Sequence, residues 1–274
     1  MDSQTCTLHE AAETLDLHYM TIYRYVRTGM LLASKKNGTW VIEIKELEKL
    51  KNKAPAAVGR GNRDLSRRIE PLMNCLISGD QEGVWKIAES VRAAGCDVED
   101  FCIDLLFPAM GSIGRGWAEG TFSIAAEHRA SAIVPSLLGR LQATSAVRGR
   151  KRGLIIVGCP PAEEHGLVTS VLALLLKGRK FDVQDLGSNT PPESFVEVCL
   201  DADRLLAVAL SVSTPGSLEG LRDVTESLRR EKINVPLVVG GTGLFGLTPE
   251  SVGADHIMSD FRLGLELIER LADG

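Results

Sequence analysis

The residues from Arg152 to Leu176, RGLIIVGCPPAEEHGLVTSVLALLL, constrain the fold more than any other stretch of the chain. Leu154 to Val157 is a short apolar, β-branched run, the pattern of a strand buried on both faces. Gly158, Pro160 and Pro161 end it, and Gly166 to Leu176 fits an apolar helix closed by Lys177-Gly178. His165 then falls in the strand-to-helix connection, two residues after Glu163. Ligands of open α/β sheets bind beyond the carboxyl ends of the strands, where this connection lies. An imidazole there, with a carboxylate near enough to orient its second nitrogen, suits a metal ligand. A structural loop histidine suits the same residues.

Four more strands follow the same logic: Phe181–Leu186, Leu205–Leu210, Val235–Val239 and a short Asp255–Met258. Helices fill the gaps at about 166–177, 193–201, 217–231 and 260–272. The alternation predicts a Rossmann-like, doubly wound parallel sheet of five strands over residues 153–274. Ser211-Val212-Ser213 and Gly240-Gly241-Thr242-Gly243 end the third and fourth strands on the same rim, and their small residues let a bulky ligand approach the backbone. The glycine run follows the fourth strand and lacks the dinucleotide spacing before a long helix, so a nicotinamide site is excluded.

Upstream, residues 54–62 read as a linker and 63–147 as four helices, at about 64–77, 80–94, 97–115 and 123–146. Their apolar spacing predicts a four-helix bundle, broken at Gly111 to Thr121 by a glycine-flanked turn that carries Trp117. Ser123 is a natural N-cap for the last helix, which places Glu127 and His128 a little over one turn in. Trp117 is thereby free to lie over a flat ligand.

Residues 1–53 have a different character. Thr7 and Glu10 fit a capping box before a helix whose apolar face is Leu8, Ala11, Ala12 and Leu15. A second helix from His18 to Thr28 turns Ile22 and Val26 inward. Leu31-Leu32-Ala33 and Trp40 to Ile44 follow as a hairpin joined by Lys35-Lys36-Asn37-Gly38, and a short helix from Lys45 to Lys51 closes the unit. This is the outline of a winged helix-turn-helix. Its segment resembles the DNA-binding modules of the MerR and excisionase type, which implies DNA contacts by Thr21, Tyr23, Arg24, Arg27, Lys35 and Lys36. A net charge of −5 excludes broad coating of nucleic acid without excluding one small reading module. Six scattered cysteines without CxxC pairs, the absence of a signal pattern at MDSQTCTLHE, and no apolar run long enough to span a bilayer predict a cytoplasmic protein with mostly buried thiols.

A helical cap with Trp-x9-Glu-His ahead of a sheet domain with Glu-x-His resembles the CarH/LitR family of cobalamin-dependent photoreceptor repressors. The sheet domain is also similar to those of methionine synthase and methyl-carrier corrinoid proteins, whose motif runs Asp-x-His-x-x-Gly, then Ser-x-Leu or Ser-x-Thr, then Gly-Gly. The acidic position is Glu163, the ligand His165, the serines Ser211 and Ser213, the glycines Gly240 and Gly241. Val168 departs from the pattern, standing where the motif has glycine beside the nucleotide tail. The resemblance implies adenosylcobalamin held through cobalt by His165, an upper group covered by Trp117 and approached by Glu127, and His128 as an upper ligand after light. It also implies a homo-oligomer, a tetramer in the dark, that binds operator DNA and disassembles in light. Two other readings use the same residues: a corrinoid methyl carrier, and a regulator that senses a linear tetrapyrrole or heme. No nucleophile–base pair or carboxylate dyad stands out, so the chain is expected not to be an enzyme.

Overall fold

The computed structural model describes residues 5–15, 22, 26, 31–36, 39–46, 60–145 and 149–273. The chain divides into two compact units, Met1–Arg60 and Gly61–Gly274.

In the first unit, β1 (Thr5–Thr7) leads into α1 (Leu8–Leu15), and β2 (Ala33–Lys36) precedes β3 (Thr39–Glu43). The strands form an antiparallel sheet in the order β1-β3-β2. The capping box is present: Thr7 N donates to Glu10 Oε2 at 2.7 Å, and Glu10 N donates to Thr7 Oγ1 at 3.3 Å. Leu8, Ala11, Ile22, Leu31 and Ile42 make the core, with Val26 and Trp40 against it. Lys36 pairs with Thr39, so the connection is the two residues 37 and 38. Lys35 and Lys36 are therefore strand residues, paired with Trp40 and Thr39, not part of the turn expected from sequence; Asn37 and Gly38 lie outside the described residues. β1 adds an edge strand that three residues of polar sequence do not announce. Thr21, Tyr23, Arg24 and Arg27 lie outside the described residues.

The second unit begins with helices α2 (Arg60–Ser78) and α3 (Gln81–Ala93). α4 follows as one continuous run: Val98–Asp100, a π-helical segment Phe101–Leu106, and Phe107–Ala118. Pro108 accounts for the wide turn, because proline cannot donate to the carbonyl four residues back and its ring presses on that group. Phe107 N reaches instead to Cys102 O, five residues back. α5 (Ile124–Thr144) completes the bundle and is capped by Ser123 Oγ, which accepts from Ala126 N at 3.2 Å. The helical break expected from Gly111 is absent. Helix α4 carries on to Ala118, so Trp117 sits in its last turn rather than in a loop. Gly116 is a packing glycine: a Cβ there would come within 2.3 Å of the Phe122 ring, which folds back over the helix end.

The sheet is built from β4 (Leu154–Gly158), β5 (Asp182–Asp185), β6 (Leu205–Ser211), β7 (Leu237–Gly240) and β8 (His256–Met258). All four pairings are parallel, in the order β5-β4-β6-β7-β8. Side chains alternate along the strands. Ile155, Val157, Ala209 and Val238 face α6 (Leu167–Gly178), α9 (Phe261–Asp273) and the bundle. Ile156, Val208, Leu210 and Val239 join the core with Phe195 of α7 (Pro192–Leu200) and Leu221, Val224 and Leu228 of α8 (Leu218–Arg230). The first of these cores is continuous with that of the bundle, running through Leu137, Leu138 and Leu141 to Val171, Leu174 and Leu175.

Charge reinforces that junction at the base of the bundle. Arg262 on α9 holds Asp104 with both terminal nitrogens, at 3.0 and 2.9 Å, and reaches Asp100 at 2.7 Å. Arg179, at the end of α6, bridges Glu99 of α4 at 2.5 Å and Glu269 of α9 at 3.0 Å. Arg152 continues the chain to Glu269 at 3.3 Å and lies over the Phe181 ring. Cys102, Cys159 and Cys199 are buried as expected, whereas Cys6, Cys75 and Cys96 are half-buried, so the thiols are less buried than the sequence predicts; burial pushes the Cys102 and Cys159 pKa values up to about 12. Among the described residues, no helix is long and apolar enough to cross a membrane.

Because one guanidinium serves two helices here, Arg262→Ala should lower stability by roughly 1–2 kcal/mol. Urea unfolding of the full chain would measure this, and an unchanged midpoint would contradict the clamp.

Candidate functional site

The strand order reverses between β4 and β6, so the connections leaving these neighbours diverge and open a crevice on the carboxyl rim. The connection after β4 carries Glu163 and His165; the one after β6 carries Ser213, Thr214 and Ser217. The first is fixed at both ends of its turn. Ala162 N donates to Asn189 Oδ1 at 2.9 Å, Asn189 N donates to Glu163 O at 2.8 Å, and Ser217 Oγ donates to Ala162 O at 2.9 Å.

Glu163 is fully buried. A buried carboxylate is costly unless its oxygens are satisfied, and here both are. Oε1 accepts from His165 N at 3.0 Å and faces His165 Nδ1 at 2.6 Å. Oε2 accepts from Ser213 N at 2.5 Å and Thr214 N at 3.0 Å, with Ser217 Oγ at 3.4 Å. Burial alone would push its pKa up. The hydrogen bonds from His165, Ser213 and Thr214 outweigh that and hold the carboxyl below its ordinary range. An ionised carboxylate can only accept, so His165 Nδ1 carries the hydrogen and Nε2 keeps its lone pair. The His165 side chain is 64% exposed, so this nitrogen faces the crevice as a prepared ligand.

The remaining rim residues fall into place around it. Ser211 ends β6 opposite Gly240, is 3% exposed, and its Oγ has no hydrogen-bond partner among the described residues. Buried hydroxyls are rarely left so, which marks Ser211 as a ligand contact in waiting. Ser213 is half-buried and supplies backbone atoms, its N–H to Glu163 and its carbonyl to Thr242 Oγ1. Gly241 is exposed, but its need for glycine is internal: φ is +117° and a Cβ would stand 2.2 Å from Val212 O. Val168 is half-buried in the first turn of α6.

Across from the rim, the start of α5 presents a second histidine–carboxylate pair. His128 Nδ1 and Glu127 Oε2 are 2.7 Å apart, and the His128 side chain is 71% exposed. Burial raises the Glu127 pKa, but hydrogen bonds from Ser131 and His128 outweigh it and bring the carboxyl below the ordinary value. Glu127 also lies within electrostatic reach of His165. Trp117, 49% exposed, stands at the end of α4 just before this turn. The sequence did not single out Thr214, Ser217 or Asn189, whose roles depend on contacts across 26 to 55 residues. Two serine or threonine residues just past a rim strand were the available signal.

Among the described residues, no group of three or more His, Cys, Asp or Glu side chains is placed to hold a bare ion. A single prepared imidazole is instead the complement of a metal that brings an equatorial ring of its own, as a corrinoid does. The residues fit such a group. Residues 68–142 match the family described as B12 binding domain, and residues 153–264 match a second family of the same description. These two segments are B12-binding domains. The chain is 26% identical over 199 residues to dimethylamine corrinoid protein 3 of Methanosarcina acetivorans, covering 70% of this chain and 91% of that protein. It is 29% identical over 174 residues to the HTH-type transcriptional repressor CarA of Myxococcus xanthus, covering 63% of this chain and about half, 54%, of CarA. In fold it is similar to the monomethylamine corrinoid protein of Methanosarcina barkeri, with a TM-score of 0.63 at 18% identity over 73% of this chain and 96% of the other. The cofactor class is thus a corrinoid.

A carboxyl with a depressed folded pKa stabilises fully above its unfolded value, about 4.3, and loses that contribution as the pH falls through the lower folded value. Glu163→Gln turns an amide nitrogen toward N–H donors and should cost about 1–3 kcal/mol near neutral pH. It should also flatten the acid limb of stability. Urea unfolding across a pH series checks both; wild-type stability with an unchanged acid limb would contradict the role given to Glu163.

Proposed function

We propose that the chain is a light-responsive transcriptional regulator, acting as a repressor, with adenosylcobalamin as its chromophore. One observation carries this reading. A carboxylate-held His165 on the sheet rim lies within electrostatic reach of a bundle turn bearing exposed Trp117 and carboxylate-held His128, in a chain that also has a separate N-terminal unit. A carrier that hands over its upper group needs an open upper face; an indole covering that face would favour holding the group.

In this reading His165 Nε2 would bind the cobalt, with Glu163 fixing the tautomer. Ser211, Ser213, Gly240 and Gly241 border the lower side, and Val168 tunes affinity or the choice of corrinoid there. Trp117 and Glu127 cover the upper group. When bound, adenosylcobalamin supplies a cobalt–carbon bond that light breaks. Trp117 would border the group that light removes, and His128 would be a second imidazole able to take the metal. The continuous core and the Arg262 and Arg179 pairs hold the base of the bundle to the sheet domain, so the response is carried by the 117–128 end. Such a local change becomes a switch only if it biases an assembly with two states. A homo-oligomer, tetrameric in the dark, would bind operator DNA and fall apart in light. Thr21, Tyr23, Arg24, Arg27, Lys35 and Lys36 would contact the DNA, and one small module needs at least a dimer for useful affinity. Similarity to a repressor supports this reading.

The corrinoid methyl carrier is the second reading, favoured by the near-complete coverage of dimethylamine corrinoid protein 3. Light separates the two. The full chain mixed with adenosylcobalamin in the dark should retain the pigment through desalting. Green light should change its spectrum irreversibly, reduce its mass, and release an operator fragment bound in the dark. Retention with equal mass and equal DNA binding before and after light would favour the carrier. Loss of the pigment on desalting would overturn the choice of chromophore and make a linear tetrapyrrole or heme the ligand to test.

A further inference from the structure

The two histidines of the site are prepared by different means. Glu163 is fixed by backbone N–H groups in a buried turn, whereas among the described residues Glu127 has no backbone donor on its carboxylate. Besides His128, its one partner among the described residues is Ser131, one helical turn further along α5. A serine inside a helix commonly returns its hydroxyl to the carbonyl four residues back. Ser131 does not. Its Oγ donates to Glu127 Oε1 at 2.6 Å, while Glu127 Oε2 faces His128 Nδ1 at 2.7 Å. Each carboxylate oxygen therefore has one partner, and the side chain is gripped between them.

We propose that Ser131 is a positioning residue that sets the tautomer of His128 through Glu127, giving the bundle a second imidazole prepared to ligate a metal. The carboxylate can only accept, so His128 Nδ1 holds the hydrogen and Nε2 keeps the lone pair that a metal requires. An unbraced histidine favours the opposite tautomer. Without the serine hydroxyl, Glu127 regains its side-chain freedom and the brace on His128 is lost. The inference rests on the proposed corrinoid function only for the metal centre His128 would serve. The tautomer itself belongs to the protein without cofactor.

Long-range proton–nitrogen correlation spectra of the full chain, with ¹⁵N-labelled histidine and no cofactor, test this above the ordinary imidazole pKa of about 6.5. Wild type should show His128 as the Nδ1–H form. Ser131→Ala should lose that form as the major species and gain Nε2–H. Ser131→Thr, which keeps the hydroxyl, should restore it. His165 should stay Nδ1–H in all three, a control that the site remains folded. An Nε2–H form of His128 in wild type, or the same tautomer in wild type and Ser131→Ala, would overturn the proposal. Failure of all three proteins to retain hydroxocobalamin would count against the corrinoid function and leave the tautomer result standing.

Discussion

The arrangement depends on one buried carboxylate. Glu163 is fully buried, yet it is held ionised by donors from two separate connections of the sheet. Those donors come from the connections on both sides of the crevice between β4 and β6, so the carboxylate ties the rim together while it orients His165. The folding and chemical roles cannot be separated. A neutral side chain at this position would leave backbone N–H groups facing one another's dipoles and free the imidazole to choose either tautomer.

The larger unit is held differently at its two ends. At the base, a shared apolar core and an alternating run of carboxylates and guanidinium groups join bundle to sheet. At the rim, Glu127 and His165 come within electrostatic reach of each other. In the proposed reading, a corrinoid between bundle and rim would leave that base in place, and rearrangement would fall to the ends of α4 and α5, where Trp117 and His128 stand.

Much of this was legible in the sequence where signals are local. The apolar run before Gly158 and the alternation after it announced the five parallel strands, and Thr7 and Ser123 announced their own caps. Glycines misled at 111–120, because a helical Gly116 is explained only by Phe122 packing on it from beyond the helix end. Lys35 and Lys36 read as a turn because polar residues on an edge ladder carry no apolar period. The partners of Glu163 beyond His165, and the pairs made by Arg262 across 158 and 162 residues, depend on topology and have no local signature. Ser131 was missed for the opposite reason: a helical serine is ordinary until its hydroxyl is seen to point away from the backbone.

The central claim is that His165 Nε2 is the lower axial ligand of a bound corrinoid. Electron paramagnetic resonance of the full chain loaded with the cobalt(II) form of cobalamin reads that nitrogen directly. With unlabelled protein the high-field lines should split into triplets, and with ¹⁵N-histidine they should become doublets. His165→Ala should abolish the isotope dependence. Lines that ignore the histidine label, showing a ligand from the cofactor itself or none, would contradict the account.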